Sequence, residues 1–138
     1  MITVCIIDGQ GGGIGATIIR RLREKFGDSP EIIALGTNAI ATSQMLKAKA
    51  NRGASGENAI VRTVQQVDLI IGPVGVVIAN SMMGEVTPAM AEAVASSGAR
   101  KILLPLIQEN VEIVGTAGIP LPHLIDELIE KNLNDVTL

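Results

Sequence analysis

The chain has 138 residues, of which 47% are hydrophobic and 18% charged, and its 11 basic and 14 acidic side chains give a formal net charge of −3. That is the length of one domain with enough apolar residues to bury a core, which excludes intrinsic disorder and a separate catalytic module. The charge balance, the single phenylalanine and the lack of tyrosine and tryptophan leave no basic patch and no stacking platform for nucleic acid, while one cysteine forms neither an internal disulfide nor a multi-cysteine zinc site.

The first segment, Ile2 to Ile7, is β-branched and apolar on both faces, as a central parallel strand requires. It lacks a basic flank, so it reads as a strand and not as a secretory signal, and the expected setting is the cytoplasm. Asp8 to Gly15 interrupts it, and Ile14, Ile18, Leu22 and Phe26 then mark one helix face, stopped by Gly27 to Pro30. The basic residues of that helix read as a solvated face. Glu31 to Leu35 is a second strand, ended by Gly36, and Thr37 or Asn38 caps a helix running to about Ala50. Asn51 to Gly56 reads as a break, Glu57 to Gln66 as another helix, and Asp68 to Ile71 as a third strand closed by Gly72-Pro73-Val74-Gly75. Val76 to Met83 fits a buried helix or a further strand, and its length does not decide. Thr87-Pro88 is a cap followed by proline at the first helical position, for a helix ended by Gly98. Lys101 to Leu106 is a fourth strand, at an edge or a bulge because of Pro105. Gln108 to Asn110 is a turn and Val111 to Val114 a fifth strand, antiparallel to the fourth. A last helix starts near Pro120 or Pro122. No run approaches the ~20 apolar residues of a membrane helix.

Strands alternating with helices predict an α/β fold, a three-layer Rossmann-like domain spanning residues 1–138. The sheet is expected to be mostly parallel, with about five strands, the first of them central, and an antiparallel C-terminal edge hairpin.

The stretch Asp8-Gly9-Gln10-Gly11-Gly12-Gly13-Ile14-Gly15 has five glycines in eight residues between a strand and a helix. That arrangement lets an anion meet free N–H groups at a helix N-terminus. Gly11-x-Gly13-x-x-Ala16 fits the looser dinucleotide pattern, and no P-loop signature is present. The competing reading is a glycine turn that packs the helix closely on the sheet. The spacing Gly9-x-x-x-Gly13-x-Gly15 resembles that of short-chain dehydrogenases. That family's Tyr-x-x-x-Lys dyad has no counterpart in a chain without tyrosine. At the end of the second strand, Gly36-Thr37-Asn38 stands where dinucleotide folds carry a ribose-binding acid.

In open α/β sheets ligands bind at the carboxyl ends of the strands. The candidate binding residues are therefore Asp8, Gly9, Gly11, Gly12, Gly13 and Gly15 for a diphosphate, Thr37 and Asn38 for a sugar, and Gly72, Pro73 and Gly75 near a base or second phosphate. Asp8 serves equally as an Asx-type cap of the glycine turn. Asn80, Ser81 and Glu85 either touch a ligand or cap a short helix. Arg52 to Asn58 either closes over the site, with Arg52 as a phosphate clamp, or is a solvated linker. His123, the single histidine, has no partner at a motif spacing and reads as surface, and Cys5 as an inert core thiol.

The phrases IIDGQGGGIGATII, GTNAIATSQMLKAKA, GASGENAI, IIGPVGVVIANSMMGEVTP and KILLPL together resemble a family of short bacterial proteins described only as a domain of unknown function. The resemblance spans Ile2 to about Leu128 and implies no reaction. The functional expectation thus rests on the residues: a small protein binding a nucleotide or dinucleotide, NAD(P) or another, through the glycine loop. The alternatives are an enzyme on a small anionic metabolite and a non-enzymatic assembly subunit. The expected partners are a phosphate-bearing small molecule and further copies of the chain, without nucleic acid, membrane or metal.

Overall fold

A computed structural model describes residues 2–106 and 110–138. The chain order is β1 (Thr3–Asp8), α1 (Gly13–Phe26), β2 (Glu31–Gly36), α2 (Ala39–Lys47), β3 (Arg52–Ser55), α3 (Glu57–Thr63), β4 (Leu69–Pro73), α4 (Pro88–Ser96), β5 (Arg100–Leu104) and α5 (Leu121–Glu127). The five strands form one sheet in the order β3-β2-β1-β4-β5, and every pairing is parallel. β1 is the central strand, as its unbroken apolar run predicts. Among the described residues no helix is long and apolar enough to cross a membrane.

Alternate side chains of each strand serve opposite layers. Val4, Ile6, Ile32, Ala34, Leu69 and Ile71 pack with Ile18, Ile19 and Leu22 of α1, Met45 of α2 and Leu124 and Ile125 of α5. Cys5, Ile7, Ile33, Leu35 and Ile70 pack with Ile60 of α3 and Met90, Ala91 and Val94 of α4. Both faces are therefore covered, and the three-layer expectation holds. Burial raises the Cys5 thiol far above its ordinary pKa and keeps it protonated.

Three expectations are corrected. Residues 52–55 are a strand, not a linker. β3 pairs with β2 at Ile33 to Gly36, and its four residues are all exposed, so no hydrophobic alternation announces it. This strand explains the two successive helices between the second and third expected strands. Its Arg52 pairs with Glu31 and does not reach the carboxyl edge as a phosphate clamp.

The expected antiparallel hairpin is the second correction. Residues 111–114 form no strand, Val111, Ile113 and Val114 are exposed, and β5 pairs only with β4 among the described residues. The Gln108-Glu109 part of its turn lies outside those residues. β5 ends at Leu104, before the proline that cannot donate to a ladder.

The third concerns residues 76–83, which are neither helix nor strand. A 3-10 turn, Val74–Val77, leaves β4, and a compact turn over residues 78–86 follows.

The basic residues of α1 are also more than a solvated face. Arg21 pairs with Asp126 at 2.6 Å and Lys25 with Glu130 at 3.5 Å, tying α1 to the C-terminal helix. Arg23 donates to the carbonyls of Lys49, Gly27 and Pro30 and to Asn51 Oδ1, closing the amino-terminal end of the sheet. The C-terminal segment is anchored by Leu128, Ile129 and Leu133, all buried.

Gly72 is a point of close approach in the central sheet, because a Cβ there would press on the Ile7 carbonyl oxygen of β1. Backbone in a paired strand has little room to yield, so Gly72→Ala should destabilise by about 1–3 kcal/mol. Gly98→Ala, where a Cβ meets nothing within 4 Å, should stay within about 0.5 kcal/mol. Urea denaturation of the two variants checks the difference.

Candidate functional site

The strand order reverses between β1 and β4, since β2 and β3 lie to one side of β1 and β4 and β5 to the other. The crevice of an open α/β sheet lies at such a switch point, outside the carboxyl ends of the strands. Here it is bordered by the glycine loop after β1, by Thr37 and Asn38 after β2, and by the 78–86 turn after β4.

The glycine loop turns tightly. Gly12 N–H donates to the Gly9 carbonyl at 2.9 Å, and Gln10 and Gly12 adopt positive φ of 50° and 74°. Three glycines are required by close approach. A Cβ on Gly9 would strike Met82 Sδ and Thr37 Oγ1, one on Gly12 would meet the Ala41 backbone at 2.8 Å, and one on Gly15 would meet Met45 Sδ at 2.6 Å. These three lock the loop to α2 and to the 78–86 turn. Gly11 and Gly13 differ: both are exposed, and a Cβ on either meets no atom within 4 Å. Packing and accessibility thus divide the loop between the two readings its sequence allows.

Asp8 is 3% exposed, and its carboxylate accepts from Gly9 N–H at 2.8 Å and Gly15 N–H at 2.7 Å. Gly15 lies in the first turn of α1, whose N-cap Gly12 supplies no side-chain bond. Asp8 therefore caps α1 from a distance and places negative charge at the positive end of the helix. Burial raises its pKa; the Gly15, Gly9 and Ile14 amides pull it back, and the nearby Glu85 charge adds to the rise. The deep position at the helix N-terminus, expected to receive a diphosphate, is filled by this carboxylate.

One layer outward, three donors from two segments, the glycine loop and the β2–α2 connection, converge on a single oxygen. Glu85 Oε1 accepts from Gln10 N–H at 2.8 Å, Thr37 Oγ1 at 2.7 Å and Asn38 Nδ2 at 2.8 Å. Desolvation works against the Glu85 charge, but the bonds from Thr37, Gln10 and Asn38 outweigh it and hold the carboxyl below its usual pKa. Asn38 also caps α2 through the Ala41 N–H and donates to the Gln10 carbonyl, so its amide is fixed in orientation. The donor cluster is rigid and suited to one oxygen of a compact anion.

Gly72, Pro73 and Gly75 are buried and do not line the crevice. Gly75 seats the 78–86 turn: the buried Ser81 hydroxyl donates to its carbonyl. Thr87, at the end of that turn, caps α4 through Met90 N–H and donates to Glu57. His123 is exposed on α5, away from the site. Among the described residues no group of three or more His, Cys, Asp or Glu is arranged to hold a metal ion. Thr37 and Asn38 stand at the carboxyl edge, where the sequence pattern puts them. The Gln10 amide has no signal in the sequence, because a backbone donor leaves no mark in residue type, and Glu85 reads there only as a helix cap or ligand contact.

The family model described as "Domain of unknown function (DUF3842)" matches residues 3–137, and the chain belongs to that family. No curated protein matches it. Among solved structures it is similar to the dodecameric FMN-dependent UbiX-like decarboxylase from Escherichia coli O157:H7, with 13% identity, covering 96% of this chain and 94% of that one at a TM-score of 0.43. A likeness of that degree transfers no cofactor or reaction.

Removal of the Asp8 cap leaves buried amides of the first turn without an acceptor. Asp8→Ala should cost about 1–2 kcal/mol at pH 7, measured by denaturant unfolding. The pH dependence has opposite signs at the two carboxyls. Glu85 has a lowered pKa in the fold, so its contribution is present above the ordinary carboxylate range and is lost as pH falls through the lowered value. Asp8 has a raised pKa, so its ionisation costs stability as pH rises from the ordinary carboxylate value through the raised one. Carboxyl titrations followed by NMR should show Asp8 titrating above the ordinary aspartate value and Glu85 below the ordinary glutamate value; shifts in the opposite directions would contradict the site.

Proposed function

From a family membership that carries no activity with it, we propose that this protein binds a small phosphate-bearing metabolite, of the nucleotide class, at the β1–β4 switch point. The observation that supports the reading is the convergence of Gln10 N–H, Thr37 O–H and Asn38 Nδ2–H on one carboxylate oxygen. An oxygen held by three fixed donors at the carboxyl edge of a parallel sheet marks the place where a ligand oxyanion gains most. Beside that cluster, Gly11 and Gly13 present exposed backbone with free space above it. The phosphate in this reading sits over Gln10, Gly11 and Gly13, next to Thr37 and Asn38, and outside the Asp8 cap.

The arrangement favours binding over catalysis. The site holds no histidine or cysteine, and its two carboxyls, Asp8 and Glu85, are both engaged by hydrogen bonds. The readings of an enzyme on an anionic metabolite and of a nucleotide-binding protein share this same anion position and differ in whether the bound molecule is then converted.

Isothermal titration with NAD(P), ATP, S-adenosylmethionine and FMN tests the reading. At least one phosphate-bearing compound should bind, and in the Glu85→Ala background, where no internal carboxylate competes for the donor, Thr37→Val should weaken it about 10-fold or more through loss of one hydrogen bond to a charged group. Gly13→Val should abolish binding by filling the open space over the loop. Binding unaffected by either substitution would remove the loop from the site.

A second reading, homo-oligomerisation, is favoured by the run of exposed apolar residues Val111, Ile113, Val114 and Ile119, with Val114 99% exposed. Apolar side chains gathered in one segment are what a subunit contact would cover. Sedimentation velocity should show an oligomer that Val114→Glu weakens; a monomer at micromolar concentration would exclude it.

A further inference from the structure

The 78–86 turn combines two features that have no use in a simple connection. Asn80, Met82 and Met83 all adopt left-handed φ, of 66°, 56° and 57°, followed by Gly84 at 87°. Three non-glycine residues within four positions are held where an L side chain is disfavoured. Such strain persists only where surrounding contacts over-determine it. Met83 gains little in return, since its side chain is 93% exposed. The turn is closed internally by Asn80 N–H to the Val86 carbonyl at 2.7 Å, Gly84 N–H to Asn80 at 3.1 Å and Val86 N–H to Ser81 at 3.2 Å. The Glu85 carboxylate joins it to Gln10 of the glycine loop and to Thr37 and Asn38 after β2, and Met82 Sδ packs against Gly9.

We propose that residues 78–86 form an autoinhibitory strap whose Glu85 carboxylate competes with the ligand's anion for the three donors. The inference rests on the anion site described above and adds a regulation to it. When the ligand oxyanion takes the donors, Glu85 leaves, the latch opens, and the left-handed residues relax. The strain stored in the closed turn thus offsets part of the energy that holds Glu85 in place, and the ligand completes the exchange. Ser81 and Val86, both buried, stay packed in the fold and anchor the turn while the residues around them move.

The strap makes opposite demands on two substitutions. Glu85→Gln keeps the shape but weakens the competitor, so inorganic phosphate, titrated into the 15N-labelled full chain, should bind at least about 5-fold more tightly. Met83→Gly removes the left-handed penalty from the closed form without removing a packed side chain, so it stabilises closure and should weaken phosphate about 3- to 5-fold. Asn80→Gly should act in the same direction. Phosphate should also speed hydrogen exchange at the amides of Gly84 and Val86 in the wild-type chain.

The outcomes separate the two levels. Phosphate that shifts the Gln10, Gly11 and Gly13 amides in all variants, with Met83→Gly at the wild-type affinity and no change in exchange at Gly84 and Val86, would overturn the strap and leave the anion site standing. In that case the Glu85→Gln gain would reflect removal of a negative charge alone. No amide shift in any variant would overturn both.

Discussion

Backbone N–H groups that leave a strand and enter a helix need acceptors, and at the carboxyl end of β1 this protein supplies them from its own carboxylates. Asp8 takes the Gly9 and Gly15 amides, and Glu85 takes the Gln10 amide together with Thr37 and Asn38. The rest of the carboxyl edge is arranged around these two groups. Asp8 is placed by the last position of the central strand, so its cap joins sheet and α1 directly. Glu85 is placed by the turn after β4, so its bonds join the two sides of the switch point. The pKa directions follow the difference in setting: Asp8 is raised by burial, while Glu85 is lowered because three donors outweigh its partial desolvation.

The glycines make that arrangement sterically possible. Gly9, Gly12 and Gly15 let the loop lie against Met82, Ala41 and Met45, and Gly72 and Gly75 let β4 and its 3-10 turn lie against β1 and Ser81. Most of the glycine content at this edge therefore serves packing between elements. What remains for a ligand is narrow: the exposed backbone of Gly11 and Gly13 and the donors now engaged by Glu85. A glycine-rich loop after a first strand is consequently a mixed signal, since the residue that allows backbone to approach phosphate also allows backbone to approach a neighbouring helix.

In the proposed reading the binding position is occupied by an internal anion, the Glu85 carboxylate. A carboxylate held by three hydrogen bonds is a good imitation of one edge of a phosphate, and the left-handed residues behind it make the imitation less stable than ordinary turn geometry would. The titratable groups at this edge are Asp8 and Glu85, while His123 is on α5 and Cys5 lies within the core as a neutral thiol.

The sequence by itself determined the α/β class, the central place of β1, the position of the glycine loop, a cap at Thr37 or Asn38, the cap at Thr87 and the proximity of Thr37 and Asn38 to the carboxyl edge. These follow from local pattern: β-branched runs, 3.6-residue periodicity and capping residues act over a few positions and are visible there. Tertiary structure alone decided the rest. β3 is four exposed residues held by backbone pairing, which residue type does not encode. The run Val111 to Val114 has strand propensity but, among the described residues, no strand paired beside it, and propensity is weaker than partnership. Glu85 meets Gln10 across 75 positions of sequence, and only the folding of β4 beside β1 brings that carboxylate to the amide it satisfies.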